Sequence, residues 1–414
     1  MPRLLRLTQL VSLALVALLM LAACGGATKQ EAPVAPPAAD AAKAEESEKP
    51  AEAAITADAL RVTLNNVLRE HVFLASAATG ATLAGDTAGF EAAAKALEEG
   101  NSVEFADLMG KIYDNDTREA FLGLWNSHID MVVAYTNGLA KDDKAAQDKA
   151  AADLDQYSTD FAAALEKITG LPATASQPLV AEHVGTLRSL IDKQKAGDVN
   201  GAYTDLRTAM NRMDRIAKPL AVQIAKQQSF AGTAEGKAAD LQVGLNGLLQ
   251  EHVFLAGAAT AAALAGNTAA FEAAARAEKE GNSVDLANAV KEVYGQDTGD
   301  AFLGLWNSHV DMFVSYTTGL TKNDKAAQDK AVTDLTNYVG SLASVFEKVT
   351  EGGLPATASS SLIQQHVTTL KTAVDVRKTG NLDAAYTDLR EAAHHMRMIA
   401  DPLAQAIVKQ KAIS

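Results

Sequence analysis

Histidine offers this chain its richest chemistry, and its placement is regular. His71, His128 and His183 recur as His252, His309 and His366. Each falls on the apolar stripe of a different helical segment, so three imidazoles could point into one bundle from three helices. Such a set is the raw material of a coordination shell for zinc, copper or iron. Met131, Met210 and Met213 in the first copy, and Met312 and Met396 in the second, bring thioethers to the same interiors. Histidine with methionine makes copper the first guess among metals, with iron or haem behind it. His395 lies at the edge of the last helix's stripe, where the first copy has Arg212, so the second copy could gather a fourth histidine. Its neighbour His394, opposite Asn211, reads as a surface residue.

A purely structural reading competes. No helix carries two histidines one turn apart, H-E-x-x-H is absent, and the E-x-x-H spacing of di-iron bundles occurs only at Glu391 and His394. Buried imidazoles commonly bond to a carbonyl or hydroxyl and do nothing more. On residues alone the structural reading comes first and a metal or haem site second. Trp125 and Trp306, one turn before His128 and His309, read as core packing. Asp130 and Asp311 point some 200° away from those histidines around the helix. No Ser-His-Asp or Cys-His set, phosphate loop or dinucleotide fingerprint is present, so no catalytic residue is assigned and a non-enzymatic role is expected.

The elements that must position these residues are helical. Hydrophobic residues make up 48% of the 414-residue chain but aromatics only 5%. That alanine- and leucine-rich balance suits an all-α fold. The nine residues AFLGLWNSH at Ala120 to His128 recur unchanged at Ala301 to His309, an offset of 181. After an insertion near Glu351 the offset becomes 183, and AYTDLR at Ala202 to Arg207 matches Ala385 to Arg390. A period this long is a domain and not a solenoid repeat. Two tandem antiparallel helical bundles are therefore expected, over residues 58–229 and 239–414, each with about four long helices plus short ones. Within the first, Leu60, Leu64, Leu68, His71 and Leu74 share a stripe. Gly100 and Asn101 punctuate a broken region, Asn115-Asp116-Thr117 caps the second long helix, and Gly138 loosens its end. Pro219 kinks the last helix. Residues 228–239 form either a short linker or a frayed helix end.

The formal net charge of −14 argues against nucleic acid and against electrostatic docking on anionic lipid. Arg3 and Arg6 precede an apolar run from Leu10 to Leu21, which ends Leu21-Ala22-Ala23-Cys24-Gly25 around the only cysteine. This resembles the lipobox of bacterial lipoproteins. The resemblance implies a signal peptide over 1–23, lipidation at Cys24 and an extracytoplasmic protein held to a membrane by its lipid. Residues 24–57, rich in Ala, Pro and Glu, read as a disordered tether.

The H-V-F-L-A start, the W-x-x-H helix and A-Y-x-x-L-R followed by H-M loosely resemble helical repeats of secreted bacterial proteins labelled copper amine oxidase-like. Activity does not carry over. The oxidases' T-x-x-N-Y-[DE] tyrosine motif finds only Thr336-Asn337-Tyr338-Val339 here, without the acid. The expectation is a membrane-anchored lipoprotein that binds or scaffolds a protein or small-molecule partner. The alternative is a metal-handling protein using His71, His128, His183, His252, His309, His366 and His395.

Overall fold

A computed structural model describes residues 54–414; the signal peptide, Cys24 and most of the expected tether lie outside them. Among the described residues every regular element is helical. The first copy comprises α1 (Ala57–Ala84), α2 (Thr87–Lys95), α3 (Val103–Ile112), α4 (Asn115–Ala140), α5 (Lys144–Thr169), α6 (Ala173–Ala196), α7 (Val199–Arg212) and α8 (Asp214–Gln228). The second repeats it as α9 (Lys237–Leu264), α10 (Thr268–Arg276), α11 (Ser283–Tyr294), α12 (Gln296–Thr321), α13 (Lys325–Val349), α14 (Ala356–Lys378) and α15 (Leu382–Lys411). None of these helices is long and apolar enough to cross a membrane.

The first copy holds the expected four long helices, α1, α4, α5 and α6, and its shorter α7 and α8 return against α1 where the second copy has the single long α15 against α9. Short connections such as residues 141–143 and 170–172 force antiparallel neighbours. Caps come from the expected residue types, one residue away from the expected place. Asp114, not Asn115, starts α4 by accepting from the Thr117 amide at 2.7 Å. Pro219 does not make the break in its helix. The interruption lies at Met213, and the matching Pro402 sits inside an unbroken α15. Gly138 is a packing residue: a Cβ there would stand 3.0 Å from the Gln147 backbone nitrogen, and Gly319 meets Gln328 likewise. It allows α4 and α5 to approach closely. The linker is short and pinned. Ser229 ends α8 in the left-handed region, Ala57 donates to the Ala231 carbonyl at 2.8 Å, and Lys237 resumes the helix.

The broken region contains no punctuation at Gly100. Helices α2 and α3 are joined through one π-helical stretch, Ala96–Ser102, repeated in the second copy as Ala277–Asn282. The wider turn is fastened by Asn101, whose amide donates to the Val67 carbonyl at 2.8 Å, and by Asn282 on Leu248 at 2.9 Å. A π stretch inside an α-helix rotates the residues around it, and such stretches gather at functional sites.

The expected single stripe on α1 is in fact burial on nearly every face. Leu64 and Val62 are both fully buried although they point apart, because α9 and its bundle cover the side away from the first core. The two copies meet on a pseudo-two-fold axis where Phe73 stacks on its own counterpart Phe254, centroids 4.4 Å apart and planes 11° apart. Two carboxylates with no solvent exposure, Glu70 and Glu251, clasp the copies together. Glu251 accepts from Arg207 Nε at 2.8 Å, and Arg207 also reaches Asp285 at 2.6 Å. In the mirror arrangement Glu70 pairs with Arg390, which reaches Glu104 at 2.8 Å. Gly281 and Gly100 leave room for those two guanidinium groups, which a Cβ would strike.

The clasps differ in their third member. Glu251 takes Arg69 at 3.4 Å, whereas Glu70 takes His394 Nε2 at 2.6 Å. His394 is exposed, as the sequence suggests, but from the surface its ring reaches across the joint to the buried Glu70. Burial opposes its charge, but the bond to Glu70 prevails and raises its pKa, while Glu70 is lowered by His394 and Arg390 against its own burial. Breaking a buried pair strands a charge, at about 3–5 kcal/mol. Glu70→Ala and Glu251→Ala should each cost about that much in urea denaturation. Asp148→Ala, which breaks the exposed Lys144–Asp148 pair, should cost under about 0.5 kcal/mol.

Candidate metal centre

The six repeated histidines gather into two triads. His71 on α1, His128 on α4 and His183 on α6 are all buried, as are His252 on α9, His309 on α12 and His366 on α14. Within each triad one nitrogen per ring lies within 4.8 Å of the others. His71 and His252 are the hubs. The Nε2 atoms of His71 and His128 are 3.1 Å apart, and those of His252 and His309 are 3.3 Å apart. His183 and His366 complete the groups, with ring centroids 5.8 and 5.6 Å from the hubs. An ion bound at about 2.0–2.1 Å from each imidazole nitrogen holds those nitrogens about 3.3–3.6 Å apart. Two of the three corners of each triad are already at or near that spacing.

His395 does not join them. It is buried, but its Nε2 bonds to the Leu362 carbonyl at 2.9 Å, so its ring serves the α14–α15 contact. Met213 lines the cavity beside His128 and His183, and Met396, at the matching position of the second copy, is likewise buried core. Trp125 and Trp306 stand edge-on to the triads, 4.8 Å from His71 and 5.0 Å from His252. They pack the core and at the same time wall the histidines. Tyr157 and Tyr338, which carry no sequence signal of their own, stack on His128 and His309 at 5.0 Å.

The hydrogen bonds fix part of the protonation pattern. His128 Nδ1 faces the Trp125 carbonyl, which can only accept, so Nδ1 carries the proton and Nε2 presents a lone pair towards His71. His71 Nε2 then donates, leaving His71 Nδ1 as a buried lone pair without a partner; His183 Nδ1 also has none. Unpartnered buried nitrogens of this kind cost about 1–3 kcal/mol each.

The second triad contains a carboxylate. Glu278, in the π-helical stretch and 2% exposed, lies 2.6 Å from His252 Nδ1. A carboxylate there turns the opposite nitrogen, Nε2, towards the centre of the triad, as it does behind metal-bound histidines generally. Burial raises the Glu278 pKa. The first copy has Leu97 at this position. That single departure from the repeat is the signal from which the sequence could have revealed Glu278.

Beside the second triad lies a cavity of about 40 Å³ walled by Val310, Phe313, Leu335 and Val367; the one beside the first is about 20 Å³. That is room for a few waters at most. It does not accommodate a porphyrin. Compared with known protein families, curated proteins and solved structures, the chain has no match.

Burial holds the imidazoles neutral: His128 and His366 fall to about 3, His183 to about 4, and His71 and His309 well below the usual value. In the unfolded chain each takes up a proton near pH 6.5. The metal-free fold therefore keeps its full stability above that pH and loses it as pH falls towards 4, by about 1.4 kcal/mol per pH unit for each imidazole. Urea midpoints measured from pH 7.5 to 4 should show this slope, and a His128→Gln, His309→Gln variant should show a shallower one.

Proposed function

We propose that this chain is a metal-handling protein carrying one three-histidine centre in each bundle. The observation that carries the reading is the convergence of three buried imidazoles per bundle at near-coordination spacing, in duplicate. Three nitrogens with a fourth direction open onto a small apolar cavity suit a zinc or copper ion. A cavity that admits waters but no organic molecule favours holding an ion over transforming a substrate. The Leu21-Ala22-Ala23-Cys24 motif supports placing the protein outside the cytoplasm on a lipid anchor, where it would bind or buffer metal at a membrane.

Elemental analysis of the full chain, purified without a metal-affinity tag, tests this. Near two ions per chain are expected, and a His128→Ala, His309→Ala double variant should lose both while remaining helical. A chain that contains no metal, and takes up none when zinc or copper is supplied, would leave the histidines as core residues.

A further inference from the structure

The two centres share their ligands but not their charge. In the second bundle the buried Glu278 touches His252 with one oxygen, while its other oxygen is buried with no partner. In the first bundle Leu97 is buried to the same depth, and the His71 Nδ1 it replaces Glu278 beside is unpartnered. The next charges outward pair an acid with an arginine in both copies, Glu251 with Arg207 and Glu70 with Arg390, and differ only in the third member of each clasp, Arg69 against His394. Burying an ion in an apolar site costs roughly the square of its charge, so a divalent ion costs about four times a monovalent one. One carboxylate reduces a divalent centre to a net single positive charge. With none, the same ion keeps both. A thioether, the soft ligand that suits copper(I), walls the first cavity at Met213, and Met396 holds the matching position in the second copy, so the carboxylate is what separates the two centres.

We propose that the bundles select ions by valence, the second holding a divalent ion with Glu278 as its counter-charge and the first a soft monovalent ion. This rests on the metal-handling reading above. The ions to use as probes are zinc(II) and, under anaerobic conditions, copper(I), each titrated against a chromogenic chelator. His128→Ala in the full chain leaves only the second centre, and His309→Ala only the first.

The second centre should bind zinc at least tenfold more tightly than the first, and Glu278→Leu in the His128→Ala chain should abolish that lead. Leu97→Glu in the His309→Ala chain should raise zinc affinity at least tenfold at the first centre without strengthening copper(I) binding. Equal zinc affinity at the two centres, or an unchanged one after Glu278→Leu, overturns the inference. Should Leu97→Glu fail to fold by circular dichroism, Glu278→Leu decides alone. If the centres bind metal but ignore these exchanges, only the valence assignment falls; if neither binds zinc or copper(I), the metal-handling reading falls with it.

Discussion

The constraint on which the rest depends is the burial of two consecutive polar residues on each central helix. Glu70 and His71 on α1, like Glu251 and His252 on α9, lie about 100° apart around their helix, so they face different neighbours. The acid faces the other bundle and is neutralised by that bundle's arginine; the imidazole faces its own bundle and meets two more. Because a stranded carboxylate is so costly, the clasp fixes the rotation and depth of α1 and α9. Fixing the helix fixes the hub histidine. The joint between the copies and the centre within each copy are thus one mechanical problem, solved twice.

The π-helical stretches belong to the same solution. Their wide turns bring Gly100 and Gly281 under the clasp arginines and, in the second copy alone, bring Glu278 against His252. A continuous α-helix would place these residues on different faces. The two jobs done by one irregular segment explain why it interrupts an otherwise regular pair of helices.

Much of this was legible in the sequence, and the gaps have physical causes. The helical class, the duplication and the three histidine positions follow from periodicity, since a buried face repeats every 3.6 residues whatever fills it. What lay beyond reach depends on partners far away in the chain. Glu70 and His394 are 324 positions apart, and nothing local shows that they pair. Gly138 reads as a helix breaker because its reason is the backbone of α5. His395 sits at the edge of the stripe, and a carbonyl of α14 holds its ring away from the triad. Glu278 was visible only as a mismatch between copies.

Three buried imidazoles converging on one point in each bundle describe a site shaped around something positively charged. X-ray absorption at the metal edge of the full chain loaded with zinc addresses that claim most directly. The account predicts three nitrogen neighbours at about 2.0–2.1 Å with the outer-shell scattering of imidazole rings. A shell of six oxygens without imidazole scattering would contradict it, since the ion would then be sitting on surface carboxylates and not in the triads.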